Sequence, residues 1–189
     1  MKITEIIMRH IKIIKSISLI ISLFLITSCS NNSAMKPEDF KNKEPRLVIE
    51  EYLSGNVKAW GVLQNRSGKV TRQFSADLNG TWDGKQLILK EIFNWDDGEV
   101  QNREWTITKI DEHNYEGTAG DVVGKAVGYS YGPAFKFEYV LLVPVKGKEL
   151  KITFDDWIFK QDDRVAINRA TMTKFGFKVA ELTVVFVKE

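Results

Sequence analysis

"FKFEYVLLVPVKGKELKITFDDWIFK", residues 135–160, decides the fold. Phe135, Phe137, Tyr139, Leu141, Val143 and Val145 occupy alternate positions, and polar residues interrupt the other parity at Lys136 and Glu138. Lys146 to Glu149 carry turn chemistry around Gly147. Leu150, Ile152, Phe154 and Ile158 then alternate again. A period of two places each set on one face of a strand. Two such runs joined by a short glycine turn predict an antiparallel hairpin.

Working outward, the same punctuation recurs. "NRSGK" (65–69), "WDGK" (82–85), "WDDGE" (95–99), "DEHN" (111–114), "YGPA" (131–134), "KQDDR" (160–164) and "FGFK" (175–178) are turn sequences. Glycine supplies positive φ there, and aspartate or asparagine bonds its own backbone. Phe74, Ala76, Leu78 and Trp82 share one face of the run before the second turn, and Leu87, Leu89, Phe93 and Trp95 one face of the next. Strands are therefore expected near 57–64, 69–82, 86–95, 99–110, 114–122, 125–130, 135–145, 149–160, 164–174 and 178–188. "PRLVIEEYL" (45–53) has weak helical periodicity and predicts one short helix plugging an end. The expected fold is all-β: a single antiparallel up-and-down barrel of about 8–10 strands. An open sandwich is the alternative.

The N-terminus is of another kind. Lys2, Arg9, Lys12 and Lys15 precede a run from Ile17 to Ile26 that only Ser18 and Ser22 interrupt. That is the layout of a signal peptide, and the run is too short for the roughly 20 residues of a spanning helix. Ile26-Thr27-Ser28-Cys29 resembles the bacterial lipobox. The resemblance implies cleavage before Cys29 and acylation of that residue, the one cysteine of the chain. Several acyl chains make a lasting anchor where one binds reversibly. Ser30 in place of aspartate resembles the signal for export to the outer membrane, facing the periplasm. The expected divisions are a signal peptide over 1–28, a flexible tether over 29–44 and a barrel domain over 45–189.

Charge limits the partners. The chain has 27 basic and 25 acidic residues; without positions 1–28 it keeps 23 and 24, a net charge of −1. That balance offers no footprint for nucleic acid. Beyond position 28 a single histidine, His113, and no thiol other than Cys29 leave no ligand set for zinc and no ready catalytic triad. The Asp-rich turns lack the oxygen count of a calcium loop. Gly117, Gly120, Gly124 and Gly128 lack the strand-to-helix context of a phosphate loop. No metal and no cofactor are expected.

"GTWDGKQLILKEIFNWDDGEVQNREWTI" (80–107), "YEGTAGDVVGKAVG" (115–128) and "FDDWIFKQDDRVAINRATMTKFG" (154–176) resemble, in order, the bacterial lipoprotein family catalogued as domain of unknown function 3833. The resemblance covers about residues 45–188. It implies a lipocalin-like, calycin-type barrel and no established activity.

Parity also places charges on apolar faces. Arg72 shares the face of Phe74, Glu91 lies between Leu89 and Phe93, and Arg103 shares its face with Trp105. Asp121 goes with Ala119, Asp156 lies between Phe154 and Ile158, and Arg169 follows Ile167 by two. Buried ions cost several kcal/mol unless paired. These six are expected to cluster inside the barrel, with each other or around a ligand head group held by Arg103 or Arg169. Trp82, Trp105, Phe137, Tyr139 and Phe154 are the expected apolar lining. Three functions remain open: a membrane-anchored binder or carrier of a lipid or other apolar molecule, an envelope assembly protein, and an enzyme of isomerase or hydratase type acting on a lipid. For the last, Glu91, Asp121 and Asp156 are the candidate acid–base groups.

Overall fold

The computed structural model describes residues 34–145 and 147–189. The expected signal peptide and Cys29 lie outside the described residues. A 3-10 turn, Pro37–Phe40, and one short helix, α1 (Ile49–Tyr52), precede ten strands. These are β1 (Gly55–Asn65), β2 (Val70–Trp82), β3 (Gln86–Trp95), β4 (Val100–Lys109) and β5 (Asn114–Thr118). β6 (Ala126–Tyr131), β7 (Ala134–Val145), β8 (Lys148–Lys160), β9 (Val165–Lys174) and β10 (Phe177–Lys188) complete the set.

Each strand pairs antiparallel with its chain neighbours, and β1 pairs with β10, so the sheet closes into an up-and-down barrel. The opening hairpin behaves as its parity requires, with Tyr139 opposite Phe154 and Leu141 opposite Ile152. Closure gives every strand two neighbours and leaves no terminal strand, unlike an open sandwich. The fifth strand is shorter than expected: it ends at Thr118, and Ala119 to Lys125 turn back as a loop tied down by a bridge from Val122 to Leu141.

The two ends differ. Leu47, Ile49, Tyr52 and Leu53 are buried across the end where β1 begins, together with Val57, Leu87, Tyr115 and Phe135. Apolar side chains of this size each contribute roughly 1.5–3 kcal/mol on full burial. β2 admits the plug because Gly80 has no side chain; a Cβ there would collide with the Leu53 carbonyl. Glu50, buried on α1, accepts hydrogen bonds from Lys109 Nζ at 2.5 Å and from Tyr115 Oη at 2.9 Å. Burial pushes its carboxyl up, but the bonds from Lys109 and Tyr115 outweigh it and the group sits below its ordinary value. Lys188 Nζ donates to the Glu51, Tyr52 and Ser54 carbonyls, which satisfies the end of the helix.

Chain expected as tether is packed from Pro37 onward. The Phe40 ring lies 5.4 Å from Phe159 and 6.0 Å from Trp157, covering the outer face of β8 near the plugged end. Leu47 N–H donates to the Gly132 carbonyl at 2.8 Å. Gly132 has φ of 52°, and a Cβ would strike the Phe40 carbonyl. Among the described residues no helix is long and apolar enough to cross a membrane.

Candidate functional site

Away from the plug, a cavity of about 370 Å³ occupies the interior. It runs from Leu78, Leu89 and Ile107 at mid-barrel to Arg72, Glu99 and Pro144 at the open end. Its size falls in the range of small-molecule sites, roughly 300–1,000 Å³. Among the described residues no group of three His, Cys, Asp or Glu is arranged to hold a metal ion.

The register of β3 and β4 sets Glu91 directly opposite Arg103, both facing in. Arg103 is 15% exposed and Glu91 11%. The Asp121 carboxylate reaches the same arginine from the β5–β6 loop, accepting from Nε at 3.0 Å and from Nη2 at 2.8 Å. Glu91 Oε2 is 3.9 Å from Arg103 Nη1 and has no hydrogen-bond partner. Burial, only partly opposed by Arg103, pushes the Glu91 carboxyl up to about 7; Asp156 and Asp121 push the same way. Burial would lower the Arg103 guanidinium, but Glu91 and Asp121 outweigh it and hold the charge firmly.

A second cluster sits beside the first. Tyr139 Oη donates to Asp156 Oδ2 at 2.9 Å, and the Asn168 amide donates to Asp156 Oδ1. Asn168 also donates to the Trp157 carbonyl at 3.1 Å. Burial raises the Asp156 carboxyl above its ordinary range despite these two neutral donors. The Tyr139 hydroxyl, buried and facing Asp156, stays protonated far above neutrality. Its ring stacks on Phe154 at 5.0 Å and meets Trp105 edge-on at 5.3 Å.

At the open end Arg72 lies 3.9 Å over the Trp95 ring and donates to Asp97 at 2.7 Å and Glu99 at 2.8 Å. Both arginines of the cavity are thus occupied by carboxylates. Asp156 has only neutral partners, and Glu91 shares an arginine that Asp121 already engages bidentately. The lining therefore carries more acid than base.

Arg72, Glu91, Arg103, Asp121 and Asp156 all line the cavity, as do Trp105, Phe137, Tyr139 and Phe154. Arg169 does not. It is 67% exposed on the outer wall, 3.8 Å from Glu181. The inner face of β9 is carried by Ala166, Asn168, Ala170 and Met172, so Ile167, the larger apolar residue, points out and misleads the parity. Trp82 faces inward but packs against the core at the plugged end, where β2 finishes beside α1, and takes no part in the cavity. Asn168, Phe93 and Trp95 line it without having been singled out as binding residues. For Asn168 the signal is the small–polar–small alternation of Ala166, Asn168 and Ala170.

A plugged, ten-stranded antiparallel barrel with a one-ended cavity defines a lipocalin-like protein. The chain belongs to the family described as protein of unknown function DUF3833, whose model matches residues 23–188. No curated protein matches it. Among solved structures it is similar to an S-type phycobiliprotein lyase from Guillardia theta, at 10% identity and a TM-score of 0.55 over 74% of this chain and 90% of that one. It is also similar to a protein of unknown function of the DUF3598 family from Nostoc punctiforme PCC 73102, at 15% identity and a TM-score of 0.58 over 78% of this chain. There the match spans 51% of the other protein's length. These likenesses are of fold.

Proposed function

We propose that the protein is a membrane-anchored envelope lipoprotein that binds or carries a lipid or other apolar small molecule in its barrel. The observation that carries the binding reading is the cavity itself: aromatic walls, one plugged end, and a volume that the chain's own side chains leave open. The lipobox-like Ile26-Thr27-Ser28-Cys29 supports the anchor, with acylation of Cys29 and an outer-membrane location facing the periplasm.

The ionic lining bears on the head group. A fatty-acid carboxylate gains little from Arg103, since Asp121 and Glu91 already neutralise it and the carboxylates nearby repel a further anion. A neutral hydroxyl or a protonated amine fits better, donating to Glu91 or Asp156 while its chain lies along Phe137, Tyr139 and Phe154. Displacement of an apolar dye by octylamine, octanol and octanoate tests this. Octylamine and octanol should compete, and octanoate should be weaker by roughly tenfold or more. If none competes, the cavity is not a binding site for apolar chains; if octanoate wins, the head-group argument is wrong.

Catalysis is a second reading, and Glu91 favours it. A carboxyl raised to about 7 in a largely apolar pocket suits general acid–base work on a bound lipid.

A further inference from the structure

The outer surface of the open end carries a separate feature. The β9–β10 turn reads Lys174-Phe175-Gly176-Phe177-Lys178. Phe175 is 89% exposed and Phe177 76%, the two most exposed large apolar residues among those described. Phe175 also has φ of 52°, a left-handed conformation that an aromatic residue adopts only at a cost. Glycine or asparagine would make the same turn without strain. Neither burial nor turn chemistry accounts for two phenylalanines at this tip.

Basic residues flank it on both sides. β10 lies between β9 and β1, so the β1–β2 turn with Arg66 and Lys69 stands beside the phenylalanine tip. Lys148 begins β8 on the other side. Lys174 Nζ stays 5.3 Å over the Phe175 ring, and Lys178 pairs with Glu181 at 2.9 Å. Val70, Val145 and Val179 add exposed apolar surface at the same level. Asp96, Asp97 and Glu99 occupy the opposite rim.

We propose that this half of the rim docks the barrel on an anionic phospholipid bilayer, with Phe175 and Phe177 entering the headgroup–acyl boundary and the flanking lysines and arginine meeting lipid phosphate. Apolar groups on a protruding tip ringed by cations suit that interface. Two rings on a narrow hairpin offer far less than the roughly 800 Å² per partner of a stable protein interface. The inference stands on the outer surface and holds whether or not the cavity takes a guest.

The test is co-sedimentation with phosphatidylcholine vesicles, with and without phosphatidylglycerol. It compares the full chain bearing Cys29→Ser, which excludes any acyl group, with the same chain also bearing Phe175→Ser and Phe177→Ser. Everything upstream is common to both, so the difference reads the tip. The parent should bind phosphatidylglycerol vesicles and lose binding as salt rises. The double phenylalanine variant should bind them roughly tenfold more weakly or worse. Lys174→Gln with Lys178→Gln should remove most of the preference for phosphatidylglycerol. All four side chains project from the wall, so unchanged melting curves verify folding. Equal partition of parent and phenylalanine variant overturns the proposal. So does a phenylalanine-dependent dimer, seen by light scattering, with no difference on vesicles: the tip would then join two copies of this chain.

Discussion

Glu91 is the side chain whose protonation matters most to the cavity. Its carboxyl sits at about 7 when folded against 4.5 ordinarily, so the folded state holds that proton more tightly than the unfolded chain. Stability from this group is fullest below pH 4.5 and is lost as pH rises toward about 7. The loss amounts to roughly 3 kcal/mol. Glu91→Gln keeps the shape of the neutral acid and should flatten that part of the profile, leaving the variant more stable than the parent above pH 7. Denaturation midpoints across the pH range check it; an unchanged slope would mean that Glu91 is ionised throughout. Glu91 and Asp156 are legible as inward charges because each lies between large apolar residues of like parity, and Arg103 because it shares its face with Trp105 and Ile107. Asp121 faces in as expected, but from a loop rather than from a strand, so strand parity is not what turns it inward. Arg169 was misplaced because size was taken for inwardness. On β9 the inward positions are held by Ala166, Asn168 and Ala170, and Ile167 faces out.

Elements were easier to read than residues. Turn chemistry is local, and links too short to cross the barrel set the up-and-down order, while closure comes from the pairing of β1 with β10. The plug was harder. α1 has a single turn, residues 45–53 show only weak periodicity, and the worth of the helix comes from what it touches rather than from propensity. Glu50 was missed for the same reason, since no pattern in "VIEEY" reveals which acid meets Lys109 and Tyr115 across the barrel. Gly80→Ala tests how tightly helix and sheet are joined. The added methyl must displace the Leu53 carbonyl, and the variant should lose about 1–3 kcal/mol or more in thermal or chemical unfolding. Wild-type stability would show that the plug can yield.

For the molecule as a whole, the two ends do different things. One is filled, hydrogen-bonded and overlaid by the incoming chain; the other is hollow, charged and fringed with exposed phenylalanine. The near-neutral net charge hides a local division at the open rim, where Asp96, Asp97 and Glu99 stand on one side and Arg66, Lys69, Lys174 and Lys178 on the other.

The place where the chain joins the barrel sets its posture. Pro37 to Phe40 lie beside the stoppered end. Were Cys29 the point of attachment, the seven residues from Ser30 to Lys36 would form a leash of at most ~25 Å. The wall, whose longer strands run 10–13 residues, stands on the order of 30 Å tall. A leash no longer than the wall is tall would disfavour an inverted posture on the leaflet that held it, and an upright barrel would present its open rim away from that leaflet. Acylated protein should therefore clump phosphatidylglycerol vesicles, measured as turbidity, and a flexible insert after Ser30 should relieve the clumping by letting each molecule fold back onto its own vesicle.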